Sequence, residues 1–205
     1  MVYKCNFFYK KNKPVFSNFF LDIPDGKITA LCGHNGAGKT TLLKCMSGIL
    51  PSETVVQNTW FVGISGSLIS HFSLEQNLKL IKHDISAARR YMEDFGLTEF
   101  VKRPVKKLST GQQILSSLIV ALVSGREILL LDEILSPLDP VNQEKTIKIL
   151  KESKKTVLIT SHDLNTVCEL SDKVLILKKG QIVYENDASN ITPEELKEKY
   201  KVLAC

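Results

Sequence analysis

No stretch of the 205 residues approaches the roughly 18 consecutive apolar residues that a membrane-spanning helix needs. The longest runs, 118–123 and 128–131, are short and soon broken by charge, which excludes a membrane channel as the chain's own activity. The opening segment MVYKCNFFYKKNKP has no sustained apolar core followed by a small-residue cleavage site. No secretory signal is read there, and the cytosol is the expected location. The five cysteines, Cys5, Cys32, Cys45, Cys168 and Cys205, form neither a CxxC pair nor a His/Cys group at zinc spacing. Reduced thiols are therefore expected, rather than a disulfide framework or a structural zinc. Internal repeats and low-complexity segments are also missing. What is there is ordinary: 43% hydrophobic and 24% charged residues describe a folded chain with a real core, one domain by length. The net charge of +5 comes from lysines spread along the chain and mixed with glutamates, and the runs 10–13 and 102–107 read as solvated loops. No nucleic-acid partner is expected.

Residues 2–8 and 15–23 are aromatic-rich and β-prone, and the second run ends at the turn Pro24-Asp25-Gly26, so they predict an antiparallel entry hairpin. A short apolar strand over 27–32 leads into a glycine-rich loop, after which 41–50 has helical spacing and stops at Pro51. Residues 73–97 carry apolar positions at helical intervals before Gly96 and Pro104 interrupt them, which predicts a small helical insert, spanning about 68–125 when the following helix is included. A helix over 114–123, a strand over 127–132, a helix over 142–150, a strand over 156–160, a helix over 163–170 and a strand over 173–177 follow. The alternation predicts an α/β fold: a mostly parallel sheet with helices on both faces, an N-terminal antiparallel β subdomain and the helical insert, all within one domain over 1–205. A hairpin to 181–184 and a terminal helix over 192–200, with Pro193 at its first position, complete the chain.

The loop Gly33-His34-Asn35-Gly36-Ala37-Gly38-Lys39-Thr40, followed by Thr41, satisfies G-x-x-x-x-G-K-[ST] between a predicted strand and a predicted helix. Each residue type has a reason. Glycines let backbone N–H groups wrap phosphates, the helix N-terminus adds its positive end, Lys39 reaches the terminal phosphates and the Thr40 hydroxyl suits Mg²⁺. A second apolar strand ends in Asp132-Glu133. Asp132 is placed to hold Mg²⁺ from the outer shell, and Glu133 to polarise an attacking water.

With LSTGQQ at 108–113 the sequence resembles the ATP-binding cassette (ABC) family, whose signature is LSGGQ. Tyr9 stands where that family places the aromatic that stacks on adenine. Ser136-Pro137-Leu138-Asp139 resembles the D-loop, and Ser161-His162-Asp163 the switch histidine. The motif order agrees and covers nearly the whole chain. The resemblance implies a P-loop NTPase fold and ATP as substrate. It also implies head-to-tail pairing of two cassettes, a homodimer being permitted, in which Ser109, Gly111 and Gln112 of one cover the nucleotide on the other. Glu133 is then the general base, His162 fixes the γ-phosphate and Asp139 communicates between sites.

The sequence departs from the family at several points. No glutamine follows the strand after the P-loop helix, since Gln57 precedes it and Gln76 lies in the next helix; Ser65 or water is left to take the role. Ile114 replaces the basic residue after the signature, Ile134-Leu135 the usual Pro-Thr, and Pro137 the D-loop glycine.

The resemblance implies the ATPase subunit of a transporter whose membrane-spanning permease is a separate polypeptide, the subunit lying peripherally on the cytoplasmic face. Export is expected, because the stretch between Lys39 and Ser109 is short and no importer-type regulatory domain follows Cys205. Compact relatives of this kind export antimicrobial peptides, drugs or haem. The stretch 68–74 reads equally as a docking place for a coupling helix and as internal packing of the insert. The alternative is a soluble ABC ATPase in a non-transport assembly such as iron–sulfur cluster biogenesis.

Overall fold

The computed structural model describes residues 1–10, 13–64, 67–81 and 84–204. Ser65, Cys205 and part of the basic run 10–13, named above, lie outside the described residues. Strands β1 (Val2–Lys10) and β2 (Lys13–Asp22) pair antiparallel as a two-stranded sheet. The main sheet has six strands: β3 (Ile28–Cys32), β4 (Thr59–Gly63), β5 (Ile128–Asp132), β6 (Thr156–Thr160), β7 (Lys173–Lys178) and β8 (Gln181–Asp187). Their spatial order is β4-β5-β6-β3-β7-β8, all neighbours parallel except β7 and β8. The predicted mostly parallel sheet and entry hairpin are thus both present.

Strands β3, β5, β6 and β7 are short and apolar because both faces are covered. Leu130, Leu158, Leu175 and Leu31 point into a core shared with helix α1 (Lys39–Met46) and the β1–β2 hairpin. Leu129, Leu131, Val157, Ile159, Val174 and Ile176 alternate to the opposite face. There they meet α4 (Thr110–Val123), α5 (Pro140–Glu152), α6 (Leu164–Leu170) and α7 (Pro193–Ala204).

Between β4 and β5 the chain makes the helical insert. The helical spacing read over 73–97 is divided between two helices. Helix α2 (Leu74–Leu78) and α3 (Ile85–Asp94) are separate, followed by single 3-10 turns at Thr98–Phe100 and Val105–Lys107. The break has a local cause: Ser73 and Asp84 each start a helix as N-caps, accepting from the N–H of Gln76 and Ala87.

Other boundaries shift for similar reasons. Helix α1 starts at Lys39 rather than 41 and ends at Met46, where Ser47 and Gly48 turn the chain. Helix α4 starts at Thr110 rather than 114. Its first turn, Thr-Gly-Gln-Gln, is polar and includes a glycine, which hides it from apolar periodicity, yet Ser109 and Gln112 cap each other reciprocally. Helix α5 starts at Pro140 behind the N-cap Asp139, α6 begins after the cap Asp163, and β8 and α7 run on to 187 and 204.

Candidate functional site

Buried strand β3 stops at Gly33, and the loop 33–38 returns into α1. A Cβ on Gly33 would stand 2.5 Å from the Leu177 carbonyl oxygen, so the loop lies tight against β7 only because this position has no side chain. The turn between β7 and β8 supports the loop from the same side, with the Gly180 N–H donating to the Ala37 carbonyl at 3.2 Å. Gly180 itself sits at φ +76, and a Cβ there would fall 1.8 Å from the Val15 carbonyl. Helix α1 has no side-chain cap and no acidic residue in its first turn. Its leading N–H groups and positive dipole end are therefore available to an anion.

Lys39 is buried, and its ammonium donates to the Gly33 carbonyl at 2.6 Å and to that of His34 at 3.4 Å. Its Nζ also lies 3.8 Å from Oε1 of Glu133. Within the loop, the Asn35 carbonyl stands 2.7 Å from His34 Nδ1. The hydroxyl of Tyr9 meets Oγ1 of Thr41 at 3.1 Å, while the ring is 62% exposed and makes an edge contact with Phe7. An aromatic face beside the P-loop helix is the arrangement needed for stacking on a base.

The acids converge on this loop because β5 lies one strand from β3, separated by β6. Asp132, almost fully buried, accepts from the Thr40 hydroxyl at Oδ2 and from the Thr160 hydroxyl at Oδ1, both at 2.8 Å. Glu133 follows in the left-handed region at φ +53, an uncommon place for a side-chain-bearing residue, and its N–H donates to Thr160 at 3.0 Å. Its Oε2 receives His162 Nδ1 at 2.9 Å and lies 3.5 Å from the Ser136 hydroxyl. Lys39, Thr40, Asp132, Glu133 and His162 thus form one connected group.

The signature residues do not join it within this chain. Ser109 and Gln112 bond to each other across the first turn of α4, and Gly111 packs near Pro137 and Leu138. Asp139 has a local task as well, accepting from the N–H and side-chain amide of Asn142 at the start of α5. Those bonds hold its carboxyl below the usual carboxylate range. Asp163, beside His162, is also lowered: burial works against it, and bonds from Thr166 and Asn165 outweigh the burial. Gln76, weighed above as a stand-in for the missing glutamine, is committed to the Ser73 cap.

Thr160 and Gly180 are the two site residues that pattern reading passes over. A threonine closing a β-branched strand has no distinguishing signal, and the reach of Gly180 to Ala37 is a tertiary contact. The S-x-x-Q spacing of Ser109 and Gln112 is a capping-box pattern, the local signal for the start of α4.

A profile of the family described as ABC transporter matches residues 16–136. The iron(3+)-hydroxamate import ATP-binding protein FhuC of Bacillus subtilis is 30% identical, over 93% of this chain and 84% of that protein. The zinc transport system ATP-binding protein TroB of Treponema pallidum is likewise 30% identical, over 93% of this chain and 82% of its own length. Among solved structures, an ATP-binding subunit of an ABC transporter superposes with TM-score 0.87 at 19% identity, covering all of this chain and 98% of the other. The dimeric ADP- and phosphate-bound cassette MJ0796 superposes with TM-score 0.77 at 22% identity, over 92% of this chain and 99% of that one. At these identities the two superpositions show the fold.

Proposed function

The chain belongs to the ABC transporter family and is an ATP-binding ATPase of P-loop NTPase fold; from that premise we propose that two copies pair head to tail on ATP and drive transport through a separate membrane subunit. The carrying observation is the linked group Thr40–Asp132 and Glu133–His162, closed at 2.8 and 2.9 Å beside an uncapped helix start. ATP phosphates are wrapped by 33–40, with Lys39 turning from the loop carbonyls to the terminal phosphates and Tyr9 against the adenine. Glu133, held by His162, takes the proton of the attacking water. Thr40 and Asp132 present hard oxygens 2.8 Å apart, a donor set that fits a small divalent cation. Mg²⁺ held there supplies neutralisation of charge on the transferring phosphoryl group.

The open half of the site is what calls for a partner. The signature cap at Ser109–Gln112 closes its hydrogen bonds within its own turn, and a second copy brings that cap over the nucleotide. Asp139 stands next to it through the contact of Gly111 with 137–138. Ile69 and Phe72 are exposed while Leu74 beside them is buried, which supports the stretch 68–74 as the place where the membrane subunit's coupling helix docks. No helix among the described residues is long and apolar enough to cross a membrane. The proposed position is peripheral, on the cytoplasmic face, without nucleic acid.

Direction has two readings. The lean stretch between Lys39 and Ser109 supports export, and the printed names of relatives such as FhuC support import. Detergent co-purification with a multi-helix membrane protein, followed by reconstitution in liposomes with ATP and the ATPase outside, tests both levels. Recovery with soluble partners alone sinks transport. Cargo moving into the lumen means export, and cargo moving out means import.

A further inference from the structure

We infer that Thr160 is a positioning residue that locks the metal-side carboxylate and the general base into one unit, an inference that rests on the proposed ATPase site. Asp132 and Thr160 are register partners at the ends of adjacent parallel strands β5 and β6. The Thr160 hydroxyl has one proton and two lone pairs. It gives the proton to Asp132 Oδ1 at 2.8 Å and accepts the Glu133 N–H at 3.0 Å.

Both bonds matter to chemistry. With Thr40 on Oδ2, the Thr160 bond on Oδ1 fixes the rotation of the Asp132 carboxylate and so the direction its oxygens present to a cation. The other bond pins the backbone of Glu133 at φ +53, which sets where its carboxylate reaches Lys39 and His162. Thr160 is 1% exposed, so water does not replace these bonds when the hydroxyl is lost. A threonine in a buried strand is also good packing, and valine would pack as well; only the hydroxyl separates the two explanations.

The test compares the parent with Thr160→Val and Thr160→Ser. Binding of methylanthraniloyl-ADP is titrated in EDTA and in Mg²⁺, and the ratio of the two affinities gives the Mg²⁺ enhancement; kcat and KM for ATP and thermal unfolding are measured alongside. Thr160→Val is expected to bind the metal-free nucleotide like the parent, while its Mg²⁺ enhancement and kcat fall about 10- to 100-fold, the usual scale for losing a bond behind a metal ligand. Thr160→Ser keeps the hydroxyl and is expected to rescue both. Parent-like enhancement and kcat in Thr160→Val overturn the inference, as does Thr160→Ser losing as much as Thr160→Val, which would assign the effect to the methyl. If the valine variant fails to fold, Thr160→Ala takes its place in the same comparison. A parent that binds nucleotide but hydrolyses none refutes the proposed function instead, and the binding ratio still decides the Thr160 question.

Discussion

The Nδ1 atom of His162 stands 2.9 Å from Oε2 of Glu133, joining the loop after β6 to the residue after β5. An ionised carboxylate only accepts, so in this pairing Nδ1 carries the proton. Glu133 is thereby oriented from one direction by His162, from another by Lys39 at 3.8 Å, and from its own backbone by Thr160.

Replacing Glu133 by Gln keeps the shape of this arrangement and removes the proposed base. Turnover is expected to fall at least about 100-fold, the lower end of what general-base catalysis contributes. ATP binding and an ATP-dependent dimer should persist, since neither uses the base. Phosphate release and light scattering read the two separately; parent-rate hydrolysis would refute the assignment.

Ser109 is both a helix cap and the proposed γ-phosphate contact, and Ser109→Asp separates the two. Aspartate caps a helix about as well as serine, whereas alanine costs about 1 kcal/mol. Thermal unfolding of Ser109→Asp should match the parent, while ATP-driven dimerisation is lost because a carboxylate faces phosphate. Intact dimerisation in the aspartate variant would count against head-to-tail pairing.

Gly180→Ala should harm nucleotide binding from a distance. A Cβ at this position collides with the Val15 carbonyl, and φ +76 disfavours any side chain. The turn must shift, at a cost of roughly 1–3 kcal/mol, and the bond from Gly180 to the Ala37 carbonyl moves with it. A lower unfolding temperature together with a raised KM for ATP is the expected pair. A stability loss with KM unchanged would show that the turn does not support the loop.

Asp163 caps α6, and its carboxyl is lowered in the fold. A depressed carboxylate stabilises above its unfolded pKa, about 3.9, and that contribution is lost as pH falls through the lower folded value. The difference in urea midpoint between the parent and Asp163→Asn should be full at neutral pH and close below about pH 4. A pH-independent difference would mean that the hydrogen bonds, not the charge, carry the effect.

Most of the fold was legible because the strands are buried on both faces and read as apolar runs: ITALC, ILLLD, TVLIT and KVLIL each gave the strand seen. Helix starts were less legible wherever capping, not apolar spacing, sets them. Thr110–Gln113 and Pro140–Val141 are polar or proline-led turns that periodicity does not register. The P-loop, Asp132 and Glu133 were read from spacing and His162 from the family resemblance, and the structure brings them within bonding reach of one another. What joins them, Thr160 and the Gly180 turn, could not be read, since each depends on a partner strand far away in sequence.

Strand β3, which delivers the P-loop, lies between β6 and β7, both made from the last third of the chain. A ribosome therefore makes the phosphate loop well before its flanking strands and the Leu177–Gly180 brace. Chains cut short before residue 156 possess the whole glycine-rich motif and the Val15–Phe16 wall beside Gly38, but neither strand that flanks β3. Seating of the phosphate loop is thus a non-local event, completed by strands that begin at Thr156 and Lys173.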